Sequence, residues 1–238
     1  MAIQTRHVDY RHHDIVLEGY LAYDDSSSDR RPGVLISHAW AGRGELEENK
    51  AELLAELGYV GFALDLYGQG VKGSGPEENA ALMQPLLDDR ALLQERMLLA
   101  LDILRKQKEV DGERIAAMGF CFGGLCVLDL ARTGADALGV ASFHGLLGSP
   151  GNTGDNKISA KVLVMHGWDD PMATPDQVLL LADELTAMGA DWQIHAYGNT
   201  LHAFTNPAAD NRGLGTVYNA DADQRSWQSL QLFLTEVF

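Results

Sequence analysis

From residue 33 onward the chain alternates short apolar runs with helix-length segments, and this alternation constrains the fold more than any other feature. Gly33-Val34-Leu35-Ile36-Ser37, Tyr59 to Asp65, Arg114 to Met118, Leu138 to His144, Val162 to Met165 and Trp192 to Tyr197 read as strands. Where a run is apolar throughout, it lacks the polar alternate positions of a half-exposed strand, so both of its faces are covered. Helices are expected at about 45–57, 77–86, 90–107, 125–132, 175–188 and 222–237, closed by glycines such as Gly58. Strand followed by helix, repeated, implies a mostly parallel sheet of about seven or eight strands with helices on both faces. Residues 5 to 24 alternate more loosely and read as an opening antiparallel pair, before a polar loop from Asp24 to Pro32. No Pro/Ser/Gly-rich linker interrupts the 238 residues, which are read as one α/β domain.

Composition narrows the function. A formal net charge of −16 argues against nucleic acid or an anionic membrane surface as partner. No run approaches the ~20 apolar residues of a membrane span. The N-terminal segment lacks the apolar core of a signal peptide, so a cytoplasmic protein is expected. The two cysteines, Cys121 and Cys126, suit neither a disulfide framework nor a zinc site.

Gly119-Phe120-Cys121-Phe122-Gly123-Gly124 follows one buried strand and precedes a helix. Glycines two before and two after a nucleophilic residue make a nucleophile elbow, with cysteine in the position usually held by serine. The tight turn forces the nucleophile into a strained backbone and leaves no room for flanking side chains. A new helix start also favours thiolate over thiol. In a sheet of this kind functional groups gather at the carboxyl ends of strands. Three such loops carry, in chain order, Cys121, Asp169-Asp170 and His202. Nucleophile, acid, histidine is the α/β-hydrolase order.

His166-Gly167-Trp168-Asp169-Asp170 places the acid at Asp170, with Asp169 a solvated turn residue. His202, just past the last strand, is the expected base. Of the eight histidines, His7, His12 and His13 lie far upstream, His195 lies inside a strand, and His144 ends one and could line a pocket. The chemistry expected is attack of Cys121 on a carbonyl, with His202 moving the proton and Asp170 fixing its tautomer. The oxyanion would be received by the N–H of Phe122 and one from the loop at His38 to Gly42, from Ala39 or Trp40, each worth about 3 kcal/mol in the transition state. Trp40, Tyr67, Phe122, Trp168 and Phe204 are the expected lining, suited to an apolar acyl or aryl group. The mechanism requires no metal or organic cofactor. A thioester or peptide-like acyl substrate fits the same residues, as does a degenerate scaffold carrying a redox-sensitive Cys121. The sequence gives no oligomeric state.

Over nearly its whole length the chain resembles the dienelactone hydrolase family, small α/β-hydrolases with a Cys-His-Asp triad. The resemblance is carried by Val34 to His38 with Trp40 and Gly42, by Asp65-Leu66-Tyr67-Gly68, by the cysteine elbow, by Asp170, and by His202-Ala203-Phe204. It implies the α/β-hydrolase fold, hydrolysis of a small ester or lactone, and the triad Cys121, Asp170 and His202, with Asp65 structural. It also marks two departures. Family members often carry a glutamate where this chain has Ala39, and an arginine for the substrate carboxylate where it has Asn206. Arg43, Lys72 and Arg90 are the alternatives for that arginine.

Overall fold

The loose alternation at the start becomes an antiparallel pair: β1 (Ile3–His12) and β2 (Ile15–Asp24) are joined by the two-residue turn His13-Asp14. The computed structural model describes residues 2–154 and 156–238. Asp155, the end of the polar loop expected from Gly148, lies outside the described residues, as does Met1. The elements continue as β3 (Arg31–Ser37), α1 (Glu45–Glu56), β4 (Val60–Ala63), α2 (Pro76–Asp88), α3 (Arg90–Arg105) and β5 (Val110–Phe120). Then come α4 (Phe122–Arg132), β6 (Gly139–Phe143), β7 (Lys161–Gly167), α5 (Pro175–Ala187), β8 (Trp192–Tyr197), the short strands β9 (Asp210–Asn211) and β10 (Thr216–Val217), and α6 (Ala220–Val237).

The eight long strands are ordered β1-β2-β4-β3-β5-β6-β7-β8. β3 and β4 are parallel, as are β6 with β7 and β7 with β8, while β2 runs antiparallel to β4. The parallel runs are buried as their composition demands: every residue of β4 and of β6 is buried. By contact the chain forms two compact units, Met1–Met118 and Gly119–Phe238, the division falling inside β5.

In the first unit α1 packs on β2, β3 and β4, and α3 packs on β3 and β1. The apolar residues Ala51, Leu54 and Ala55 of α1, and Leu93, Met97, Ala100, Leu101 and Leu104 of α3, fall at helical spacing and are buried. In the second unit α4 packs on β6, and α6 on β6 and β7. All eleven residues of α4 are buried, Cys126 among them, so that cysteine is a core residue.

Two boundaries differ from the sequence reading for a physical reason. β5 begins at Val110 because its first residues, partly exposed and polar, still join the ladder. α4 begins at Phe122, so Gly123 and Gly124 are helical despite their propensity. Among the described residues no helix is long and apolar enough to cross a membrane.

Candidate active site

The turn between β5 and α4 has the strained backbone that its glycines predict. Cys121 sits at φ 55°, ψ −116° and is the residue from which α4 starts. A Cβ on Gly119 would lie 2.1 Å from the Gly123 carbonyl oxygen, and one on Gly124 would lie 2.6 Å from Gly145 Cα. Neither position can hold a side chain without backbone movement. The Cys121 N–H is held twice, by the Phe143 carbonyl at 3.0 Å and by His144 Nδ1 at 3.2 Å. Cys121 itself is half-buried. Phe122 occupies the first helical position, directly after Cys121.

Asp170, in the H-G-x-x-D frame, and His202, in the loop past β8, lie against each other. His202 Nδ1 lies 2.7 Å from Asp170 Oδ2, and both residues are buried. The other oxygen of Asp170 accepts the Met172 N–H at 2.8 Å, which fixes the carboxylate. Asp169 is exposed, as a solvated turn residue should be. The backbone of His202 is clamped on both sides, its N–H donating to Gly215 O at 2.9 Å and its carbonyl accepting from Val217 N at 3.1 Å. Those partners flank β10, which pairs with β9. The sequence reading missed this small hairpin; its signal was Gly213-Leu214-Gly215 between two short polar-apolar runs.

Burial opposes charge on the His202 ring, yet its interactions with Cys121 and Asp170 outweigh it and push the pKa up to about 10. His202 Nε2 makes no hydrogen bond of ordinary geometry among the described residues. Cys121 therefore acts on the ring chiefly by charge.

His144 has a role beyond lining a pocket. Burial, with His202 nearby, drives its pKa well below the usual value, so the ring is neutral. Because Nδ1 accepts the Cys121 N–H, Nε2 carries the proton and donates to Thr205 Oγ1 at 2.8 Å. Its ring stands edge-on to that of His202, centroids 5.1 Å apart. Thr205, which the sequence reading did not single out, thereby sets the tautomer of the group that holds the Cys121 amide. Phe204 was expected to face substrate. It is instead fully buried, packed edge-on against His144 and Tyr197. It belongs to the wall behind the base. Trp168 is 43% exposed and available to a ligand.

The remaining expected residues belong to the first unit. Trp40 and Tyr67 are half-buried, and the Tyr67 hydroxyl donates to the Trp40 carbonyl at 2.9 Å, fixing that loop. The Ala39 N–H is already engaged: it donates to Glu47 Oε1 at 3.2 Å, while Glu47 Oε2 accepts from Gly44 at 3.0 Å. The Ala39 amide is thus engaged within its own unit. Burial raises the Glu47 pKa to about 6 against those two amides. The carboxylate that Ala39 lacks is thus supplied to its backbone from α1.

Asp65 accepts from the amides of Tyr67, Gly68 and Glu18, which makes it structural. Arg43 is buried and paired with Glu18, 2.6 Å away, and with Glu48, so it is spent inside the protein and is not available to a substrate carboxylate. Lys72 is exposed and Arg90 half-buried. Asn206 caps its own turn through Ala208 N.

A family model described as the dienelactone hydrolase family matches residues 17–238. The chain belongs to the dienelactone hydrolase family. A metagenomic protein described as a dienelactone hydrolase-like promiscuous phosphotriesterase shares 36% identity and a TM-score of 0.93, with all of both chains covered. A Synechocystis protein with a provisional carboxymethylenebutenolidase name is 27% identical over 99% of this chain and 98% of its own. An uncharacterized protein of Caenorhabditis elegans is 35% identical over 63% of this chain and 98% of its own. As a dienelactone hydrolase-like protein the chain is an ester or lactone hydrolase acting on a small molecule.

Proposed function

We propose that the chain hydrolyses its ester or lactone through an acyl-enzyme on Cys121, with His202 and Asp170 completing a triad. The observation that carries this reading is the buried 2.7 Å pair of His202 Nδ1 and Asp170 Oδ2, with Cys121 among the groups that raise the pKa of the ring. In this reading Cys121 gives its proton to His202, leaving thiolate and imidazolium as the attacking pair. The thiolate attacks the carbonyl carbon, and the oxyanion is received by the N–H of Phe122 and, as the second donor, that of Trp40. Collapse expels the alkoxide, which takes the Nε2 proton of His202. Neutral His202 next removes a proton from water, and the resulting hydroxide attacks the thioester. Carboxylic acid leaves and the thiolate–imidazolium pair is restored. One water is consumed, and the products are acid and alcohol, or one hydroxy acid from a lactone.

Trp40, Tyr67 and Trp168 are the substrate contacts assigned, all at least partly exposed aromatic rings suited to an apolar acyl or aryl group. The test is hydrolysis of a short-chain p-nitrophenyl ester by wild type, Cys121→Ala and His202→Ala, with mass spectrometry of the quenched wild-type reaction. The reading expects turnover in wild type alone and an acyl adduct on Cys121. Rapid thiol labelling of Cys121 without ester turnover would favour a redox thiol on an inactive scaffold. The 36% identity to the metagenomic phosphotriesterase supports a second reading, side activity on phosphotriesters. Hydrolysis of an aryl phosphotriester that vanishes in Cys121→Ala is its test.

A further inference from the structure

The tip of the β1–β2 hairpin brings together groups that hydrolysis does not use. His12 closes β1 and is buried at 8% exposure, and its Nε2 lies 3.2 Å from Glu95 Oε2 on α3. His13, the next residue, is exposed and occupies the turn at φ 52°. Its ring lies 4.3 Å from that of His12. One nitrogen from each imidazole and one oxygen of Glu95 all fall within 4.8 Å of one another. A two-residue hairpin turn at positive φ is filled at least cost by glycine, asparagine or aspartate, and it also accepts histidine, so His13 sits here without unusual strain.

We propose that His12, His13 and Glu95 form a binding site for a divalent transition-metal ion that pins the β1–β2 turn to α3. Two imidazoles and one carboxylate suit zinc and its neighbours nickel, cobalt and copper, and they do not suit magnesium or calcium, which take oxygen ligands. Ligands bound at about 2.0–2.1 Å around a tetrahedral ion stand roughly 3.3–3.5 Å apart. The His12 and Glu95 atoms are already at that spacing. His13 and Glu95, being exposed, can complete it by rotation, and water fills the remaining position. Binding replaces the hydrogen bond between His12 Nε2 and Glu95: the Nε2 lone pair goes to the ion and the neutral ring carries its proton on Nδ1. Sequence places the three ligands on two elements, 83 residues apart between His12 and Glu95, so an ion here joins segments that only folding brings together.

The test is calorimetric titration of Zn²⁺ into the full chain, free of any histidine tag and carrying Cys121→Ala so that the thiol takes no metal. One equivalent is expected, with a melting temperature that rises with Zn²⁺ concentration. His13→Asn keeps a residue the turn accepts, and Glu95→Gln alters an exposed side chain, so both variants fold. Each should weaken the equivalent at least about tenfold, since even outer partners of metal ligands are worth 10–100-fold. With Cys121 restored, ester hydrolysis in metal-free buffer should be unchanged in both. Absence of a stoichiometric equivalent, or an equivalent that survives in both variants, overturns the proposal.

Discussion

His38 and His202 are both fully buried histidines just beyond strands, and their environments have opposite consequences. His38, after β3, has both ring nitrogens committed: Nε2 accepts the Leu66 N–H at 3.2 Å, so Nδ1 carries the proton and meets Ala39 O at 2.7 Å. Burial lowers its pKa, against the Ala39 carbonyl and Asp65. It is a neutral imidazole with one tautomer, bonded on both sides to backbone. His202, after β8, has a carboxylate on Nδ1 and no ordinary hydrogen bond on Nε2 among the described residues, and charge pushes its pKa to about 10. Two buried imidazoles in one protein thus differ: one is a neutral scaffold piece, and the other is the group the proposed mechanism uses to carry a proton. The difference lies in whether the second nitrogen is engaged and whether anions flank the ring, since burial is common to both.

The largest break of this contrast is removal of the Cys121 sulfur. Cys121→Ala should lower kcat on an ester by on the order of 10⁶-fold, as loss of a triad nucleophile does. Asp170→Asn should cost about 10⁴-fold, because the ring loses its tautomer and its charge support. In that variant the alkaline limb of the rate profile, expected near the wild-type His202 value of about 10, should move down. His144→Asn, at a φ of 38° that asparagine tolerates, loosens the Cys121 amide without touching substrate. A fall of about 10²-fold in kcat with KM unchanged is expected. His38→Asn is the smallest effect on catalysis: it should destabilise the fold by about 1–3 kcal/mol for the buried amide left unpaired, with the alkaline limb unmoved.

The contrast also has a sign in folding stability. The folded-state pKa of His202 lies above its ordinary 6.5, so the pair's contribution is fully present below about 6.5 and is lost as pH rises through about 10. Urea unfolding at pH 6, 8 and 10 should show that loss in wild type and less of it in Asp170→Asn. His38 and His144 have lowered values and act in the other direction, their contributions fading as pH falls below 6.5.

What the sequence made legible was whatever steric or order constraints leave visible. Gly119 and Gly124 are demanded by contacts under 3 Å, so the elbow is written in residue types. Asp170 and His202 follow from a short frame and from chain order. What it hid are groups whose role depends on three-dimensional partners. Arg43 reads as a possible substrate ligand until Glu18 and Glu48 are seen on it. Ala39 reads as a donor until Glu47, eight residues on, takes its N–H. Thr205 gains a role only through His144, 61 residues earlier. Phe204 looks like a pocket ring because aromatics at strand ends serve core and substrate alike, and only its burial separates the two.

The central claim is that Cys121 and Asp170 together hold His202 charged, and an NMR titration of the His202 ring tests it most directly. The account predicts that the ring stays protonated in wild type up to about pH 10 and loses its proton at markedly lower pH in Cys121→Ala. A wild-type ring that titrates near 6.5, unaffected by that substitution, would contradict it.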